Sequence, residues 1–388
     1  MSNPMFSVLL PTRQRPHTFR HTLRNVLSQE YEDYEVVVAD NCSDPETGDI
    51  VREANSPRVV YSRSDSVFSM AENWERGLAL CRGRYVTILG DDDALMPDAM
   101  RVAEAFFAQT ESEIVSWSPH NYWWPDTIVE LNRNLLFVNQ EGSHQRIAAK
   151  AVLGAFFRNA MGFDQLPMIY SSFVSQAVIQ RAREQYGRYF IDLNPDLASG
   201  VLNAHLVDTY VVCGRALSVR GISGRSIGTS HFCRSRGSQI REAFMAEERK
   251  KLADISHPDL VDTPNLEVGI AATKLRLKAI LFPDREDYNL DAKVLLMQMA
   301  AGINRDPDSY EDTLADMTAL AEKHRINLKE IAIPPKDTRD LRNATVAQGL
   351  MKRPDGSVHM IVINGRHAGI ENVDQAARFA RAVMPIPA

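Results

Sequence analysis

The sequence predicts an α/β protein: a doubly wound, mostly parallel sheet flanked by helices, with a mainly helical C-terminal extension. Three observations predict it. Short, continuous apolar runs recur through residues 1–100, segments of helical period separate them, and the pattern turns almost wholly helical beyond about residue 237. Runs apolar on both sides are what strands buried on both faces of a parallel sheet require.

Residues 6–10 (FSVLL) form the first such strand. Phe19, Leu23, Val26 and Leu27 then share one face at helical spacing. Residues 35–39 (EVVVA) are the second strand, and Asp44, Pro45 and Glu46 supply an N-cap, a first-turn proline and a first-turn acid for a second helix. Residues 59–62 (VVYS) are the third strand. Ser69 and Glu72 make a capping box, behind which Met70, Trp74, Leu78 and Cys81 line a helical face. Residues 85–89 (YVTIL) complete the β-α-β-α-β-α-β order, which implies right-handed crossovers and a parallel sheet.

The stretch 94–235 is mixed, with an aromatic cluster at Tyr122, Trp123 and Trp124 and a glycine- and serine-rich run over 221–228. One tryptophan of that cluster reads as core and another as a platform for a sugar ring. Further on, Leu266, Ile270, Thr273, Leu277, Ile280 and Leu281 share a helical face, and 287–301 and 310–323 read as helices. Residues 358–363, the pair Asn364-Gly365 and residues 366–370 read as a hairpin before a last helix. The predicted division is a catalytic domain over 1–235, with a nucleotide-binding half (1–100) and an acceptor-binding half (101–235), and a mainly helical region over 236–388.

Of 388 residues, 44% are hydrophobic and 24% charged, which suits a large buried core. The net charge of -6 argues against a nucleic-acid partner, whose sites are strongly basic. Cys42, Cys81, Cys213 and Cys233 are scattered without a C-x-x-C pair, so a disulfide framework is not expected and reduced thiols in the cytoplasm are. No apolar run approaches the ~20 residues of a membrane span. A soluble protein is expected; contact with the inner face of a membrane and a homodimer stay open.

In an open parallel sheet, ligands bind beyond the carboxyl ends of the strands. There the sequence places Pro11, Thr12 and Arg13, then Asp40 and Asn41, then Gly90 followed by Asp91, Asp92 and Asp93. Three adjacent carboxylates raise one another's pKa and call for a cation, and Mg²⁺ or Mn²⁺ held by carboxylates and substrate phosphates answers that need. An acidic turn in solvent is the alternative for the triplet taken alone. Arg13 and Arg15 suit phosphate or simple solvation, and Asn73 suits either a donor contact or an exposed helical position.

The blocks SVLLPTRQRP, VVVADNCSD and RGRYVTILGDDDALMP together resemble the family 2 glycosyltransferases of the GT-A fold, a Rossmann-like architecture. The resemblance implies a transfer of sugar from a nucleoside diphosphate donor, UDP-linked by preference, to a glycan or lipid-linked acceptor with inversion. It implies that Pro11, Thr12 and Arg15 cradle the nucleotide, that Asp40 reads the base, that Asp91 lies at the ribose, and that Asp92 and Asp93 face Mn²⁺ or Mg²⁺. Many members carry an aspartate where this chain has Gly90, which leaves open which carboxylate meets the metal. A late histidine, His231, is a further metal candidate, although a lone histidine is commonly structural. Arg225, Ser226 and Thr229 form a candidate closing loop. The base that deprotonates the acceptor is expected from the second half, at Asp196 ahead of Asp192 and Asp164. Two rivals stand beside this reading. A nucleotidyltransferase would need a glycine-rich loop after the first strand, where this chain has none. A non-catalytic binding or scaffold module would not need the acids.

Overall fold

The structure, a computed structural model, describes residues 3–248, 250, 252–339 and 346–384. The first half alternates as expected: β1 (Phe6–Thr12), α1 (Pro16–Leu27), β2 (Tyr34–Asp40), α2 (Pro45–Ala54), β3 (Val59–Arg63), α3 (Met70–Leu78) and β4 (Tyr85–Ile88). The capping box at Ser69 forms, with its hydroxyl accepting from Glu72 N and the Glu72 carboxylate accepting from Ser69 N. Asp44 occupies the N-cap of α2 without a side-chain bond to the helix. Asn73 is buried, not exposed: its amide donates to the Ala39 carbonyl and its carbonyl accepts from Arg76. A polar residue thereby pins α3 to the end of β2.

The chain continues through β5 (Ala94–Leu95), α4 (Ala99–Thr110), β6 (Ile114–Trp117), β7 (His120–Trp123), β8 (Leu135–Asn139), β9 (Gln145–Ala148) and α5 (Ala149–Phe157). Next come β10 (Ser172–Ser175), α6 (Gln176–Tyr186), α7 (Pro195–Leu206), β11 (Thr209–Cys213) and β12 (Ser218–Ile222). Among the described residues the main sheet has eight strands in the order β3-β2-β1-β4-β10-β6-β11-β9. Its β3, β2, β1 and β4 are mutually parallel, while β10 runs antiparallel to both β4 and β6. A second sheet places β8, β7, β12 and β5 side by side in that order and joins β12 to β7 in parallel.

Both faces of the main sheet are covered, which is why its strands read as continuous apolar runs. Phe6, Val8 and Leu10 point into one core with Phe19, Leu23 and Val26 of α1, whereas Leu9 and Val37 point into the opposite core. That second core is closed by α5, α6 and α7.

Beyond β12 lie α8 (Ile227–Phe232), α9 (Ser238–Glu247), α10 (Leu252–Ile255), α11 (Leu266–Leu281), α12 (Ala292–Gly302) and α13 (Tyr310–Lys323). The helix expected to begin at 287 starts instead at Ala292, after a single 3-10 turn at Glu286–Tyr288. α11 is buried on two sides: Leu277 and Leu281 enter the second core, while Val268, Ala271, Ala272 and Leu275 pack with α12 and α13. Ile280, expected on its buried face, is 46% exposed.

The chain then returns to the first body. β13 (Gly349–Lys352) pairs with β14 (Val358–Asn364), and β14 also pairs with β8. The hairpin therefore precedes Asn364 and does not turn on it. Asn364 caps the short α14 (Gly365–Ala368), and α15 (Val373–Val383) lays Val373, Ala376, Ala377 and Ala380 into the core beneath α1. Asn25 of α1 donates to Asp374 across that contact. None of the helices among the described residues is long and apolar enough to cross a membrane.

Candidate active site

Strand ends β1 and β4 deliver the acidic edge. Thr12 closes β1, and its hydroxyl donates to Asp91 Oδ2 at 2.8 Å. Pro11 precedes it, buried opposite Ala39 of β2. Arg15, the N-cap of α1, places Nη1 2.6 Å from Asp91 Oδ1 and Nη2 2.6 Å from Asp92 Oδ2. Its Nη2 also donates to Ser223 Oγ, and the Ser223 hydroxyl donates to Asp92 Oδ2 at 2.7 Å. Thr12, Arg15, Asp91 and Asp92 are therefore brought together as the sequence predicts. Ser223 joins them from the glycine- and serine-rich run.

Asp93 is used differently. Its Oδ1 accepts from Gly221 N at 2.6 Å and its Oδ2 from Gly90 N at 3.1 Å, while its carbonyl accepts from the Thr22 hydroxyl. Trp124 Nε1 donates to the Asp92 carbonyl at 3.0 Å. The acidic turn is thus bolted to α1, β12 and the buried aromatic cluster. Tyr122 and Trp124 of that cluster are core, and Trp123 is partly exposed. Gly90 has a local reason: a Cβ there would lie 2.7 Å from Asp93 Oδ2, so an aspartate would crowd a carboxylate already in place.

Asp91 and Asp92 are 4% and 7% exposed, so their charges are costly without a partner. Burial pushes Asp91 up to about 6, against the opposing pull of Arg15, and pushes Asp93 up to about 7, with Asp92 adding repulsion. Burial alone would lower Arg15, but Asp91 and Asp92 outweigh it and hold the guanidinium charged. Raised carboxylates make a stability prediction. Asp93 has a folded pKa above its ordinary 3.8, so its neutral form favours the fold. That contribution is fully present below about pH 4 and lost as pH rises through about 7. Melting curves of the ligand-free protein and of Asp93→Asn should therefore diverge between about pH 5 and pH 8. The wild type should lose roughly 3 °C more than the variant across that range. Parallel curves would remove Asp93 as the titrating group.

Asp40 is fully buried, with Oδ1 accepting from Ser43 N and Oδ2 from the Tyr61 hydroxyl at 2.7 Å. It shapes the turn after β2 and has no exposed surface in this state. Arg13 binds the Asn41 carbonyl and pairs with Glu247 of α9 at 2.8 Å. Arg225 donates to the Gln14 carbonyl, Ser226 occupies the N-cap position of α8 without a side-chain bond to the helix, and Thr229 is buried, so the run expected to form a loop is largely built into β12 and α8.

Asp196 sits in the first turn of α7, where its Oδ1 accepts from Leu197 N. Burial raises its pKa, and Arg220 opposes that rise. Arg220 on β12 donates to the Tyr170 hydroxyl at 3.2 Å, with its guanidinium 5.4 Å from the Tyr170 ring. Asp93 and Asp196 both act on this Arg220–Tyr170 pair. Neither residue of the pair was singled out in the sequence; only the fold puts them between the acidic turn and α7. Asp192 forms a two-bond pair with Arg276 of α11 and so ties the helical region to the sheet domain. Asp164 lines a cavity of about 220 Å³ between α5 and the α11–α12 pair. His231 lies apart from the acids, its Nδ1 3.3 Å from the Pro264 carbonyl, and burial lowers its pKa.

Asp91 and Asp92 already converge on one cationic group, and a hard oxygen donor pair completed by phosphate oxygens is a donor set that suits Mg²⁺ or Mn²⁺. Among the described residues no group of three His, Cys, Asp or Glu side chains forms a metal cage, so such an ion would depend on substrate for further ligands.

A twisted sheet with parallel β3-β2-β1-β4, an acidic turn after β4 and a second sheet make this a GT-A domain. Residues 7–164 match the glycosyl transferase family 2 model. The chain is similar to the O-antigen biosynthesis protein RfbC of Myxococcus xanthus, 37% identical over 115 residues that cover 28% of this chain and 9% of RfbC. It is also similar to the GalNAc(5)-diNAcBac-PP-undecaprenol beta-1,3-glucosyltransferase of Campylobacter jejuni, 28% identical over 101 residues covering 25% of this chain and 32% of that one. The chain thus spans less than half the length of these curated relatives. Among solved structures, S. aureus TarS 1-349 in complex with UDP-GlcNAc aligns with a TM-score of 0.48 and 13% identity, over 84% of this chain and 92% of that one.

Proposed function

We propose that this chain is an inverting glycosyltransferase that moves a sugar from a nucleoside diphosphate donor, UDP-linked by preference, to a glycan or lipid-linked acceptor. One observation carries the reading: Asp93 of the acidic turn and the candidate base Asp196 both act electrostatically on one Arg220–Tyr170 pair. Donor and acceptor chemistry would thus share one cleft. The undecaprenol-linked glycan in the name of the Campylobacter relative supports a lipid-linked acceptor, and with it work at a membrane surface.

In this mechanism Thr12 and Asp91 would hold the ribose side of the donor, and Asp92, together with Asp91, would hold a divalent ion. Bound there, the ion would neutralise charge on the departing diphosphate. Asp93, with both oxygens occupied by backbone amides, orients the turn, and Asp40 shapes the nucleoside wall through Tyr61 and Ser43. Asp196 accepts the proton of the acceptor hydroxyl as that oxygen bonds to the anomeric carbon. The bond from the anomeric carbon to the diphosphate oxygen breaks with its electron pair, releasing the nucleoside diphosphate. Attack opposite the leaving group inverts the centre.

Titration calorimetry with UDP, with and without Mn²⁺, tests the donor half of the proposal. Binding should strengthen with the ion and weaken at least about tenfold in Asp92→Ala. If UDP, GDP and the deoxythymidine diphosphate all fail to bind with the ion present, the reading fails.

A further inference from the structure

The Arg15 guanidinium is placed as a cation between two carboxylates. Nη1 meets Asp91 and Nη2 meets Asp92, each at 2.6 Å, and Ser223 braces both the guanidinium and Asp92. The side chain is one-fifth exposed, and both carboxylates are nearly closed off from water. No other arginine or lysine among the described residues is paired with either acid. A single positive charge thus compensates the same pair that would receive a divalent ion.

We propose that Arg15 is a built-in counter-cation, which a divalent metal must displace from Asp91 and Asp92 before it can bind. Two cations held on those carboxylates at contact distance repel each other. At about 4 Å a divalent ion and a guanidinium repel by several kcal/mol even at the intermediate dielectric of a protein surface. The forked guanidinium, once released, is suited to two phosphate oxygens at a time. A nucleoside diphosphate therefore gives Arg15 new partners as the metal takes its old ones. Metal and nucleotide should bind with positive coupling over and above any direct contact between them. The ligand-free protein, in which Arg15 has nowhere else to go, should hold the metal weakly. The arrangement also compensates the charge of Asp91 and Asp92 while no metal is bound.

The inference rests on the donor-site reading for its metal, and Mn²⁺ alone, without nucleotide, is the probe that separates the two. Free Mn²⁺ is followed by electron paramagnetic resonance during titration of the wild type, Arg15→Ala and Arg15→Lys. Arg15→Ala should bind Mn²⁺ at least about tenfold more tightly than the wild type, and Arg15→Lys, which keeps the charge, should stay within about threefold of it. Arg15→Gln, close in shape and neutral, gives the same comparison if the alanine variant is unstable, and should resemble it. Equal or weaker Mn²⁺ binding in the neutral variants overturns the proposal, as does a lysine variant that behaves like the alanine one. A second arm adds UDP: the tightening produced by UDP should be smaller in Arg15→Ala than in the wild type. If Arg15→Ala gains Mn²⁺ affinity while no nucleotide binds to any form, the counter-cation stands and the donor reading falls.

Discussion

Replacing Asp196 by asparagine should lower kcat by roughly 10²- to 10⁴-fold, the usual contribution of a positioned general base. UDP binding should be unchanged, because Asp196 stands on α7 and not on the strand ends that carry Thr12, Asp91 and Asp92. Asparagine keeps the shape and can still accept from Leu197 N, so the helix start survives and only the proton acceptor is lost. Burial holds the Asp196 pKa above its ordinary value, the direction a general base needs, while the Leu197 N–H and Arg220 oppose the rise. The two rival acids give the contrast. Asp192 is committed to Arg276, so Asp192→Asn should loosen α11 and lower the melting temperature, with a kcat close to wild type. Asp164 faces the cavity beside α11, and its asparagine variant should also retain turnover. UDP release from UDP-sugars, with calorimetric UDP binding alongside, decides among them. A kcat for Asp196→Asn within threefold of wild type would sink the assignment.

Strands with both faces covered were readable because burial on both sides leaves an unbroken apolar run, as at Phe6–Thr12 and Tyr34–Asp40. The acidic edge was readable for a related reason: strand order places the ends of β1 and β4 side by side, so Thr12, Arg15, Asp91 and Asp92 had to be neighbours. What could not be read depends on long-range pairing. Asn364-Gly365 has the composition of a hairpin turn and equally that of a helix start; pairing of β14 with both β13 and β8 decides it, and no local signal encodes that partner. The return of α15 beneath α1 is of the same kind. Its stripe of Ala376, Ala377 and Ala380 would suit any close helix contact. In the site, Ser223 stands 131 positions from the aspartate it serves, and Arg220 arrives on β12, which ends one residue before Ser223. His231 and Asp40 show the converse. Both carry the residue type the chemistry asks for, but nearby groups, Pro264 for one and Tyr61 with Ser43 for the other, already engage them.

Gly221→Ala should be the most damaging single methyl addition in the site. A Cβ at Gly221 would lie 1.7 Å from the Asp92 carbonyl oxygen and 2.7 Å from Trp124 Nε1. Backbone is the obstacle, so no rotamer change can relieve the contact. The same residue's N–H holds Asp93 Oδ1, and Trp124 Nε1 holds the Asp92 carbonyl, so any movement of β12 away from the turn breaks both bonds together. It would also withdraw Ser223, two residues further along the chain, from Arg15 and Asp92. Overpacking of this kind costs about 3 kcal/mol where the neighbour is rigid, with a fall in melting temperature of roughly 6 °C or more. The functional loss should exceed the loss of stability. Donor sites tolerate little displacement of charged groups, and an error of about 1 Å in the Asp92 carboxylate can cost on the order of 10²-fold in rate. Thermal denaturation and UDP–Mn²⁺ titration on the same sample separate the two effects. At a temperature where the variant is fully folded, UDP should still bind at least about tenfold more weakly than to the wild type. Wild-type affinity there would mean that β12 can yield without carrying the acidic turn, and that the bonds of Gly221 and Trp124 to it are dispensable for the donor site.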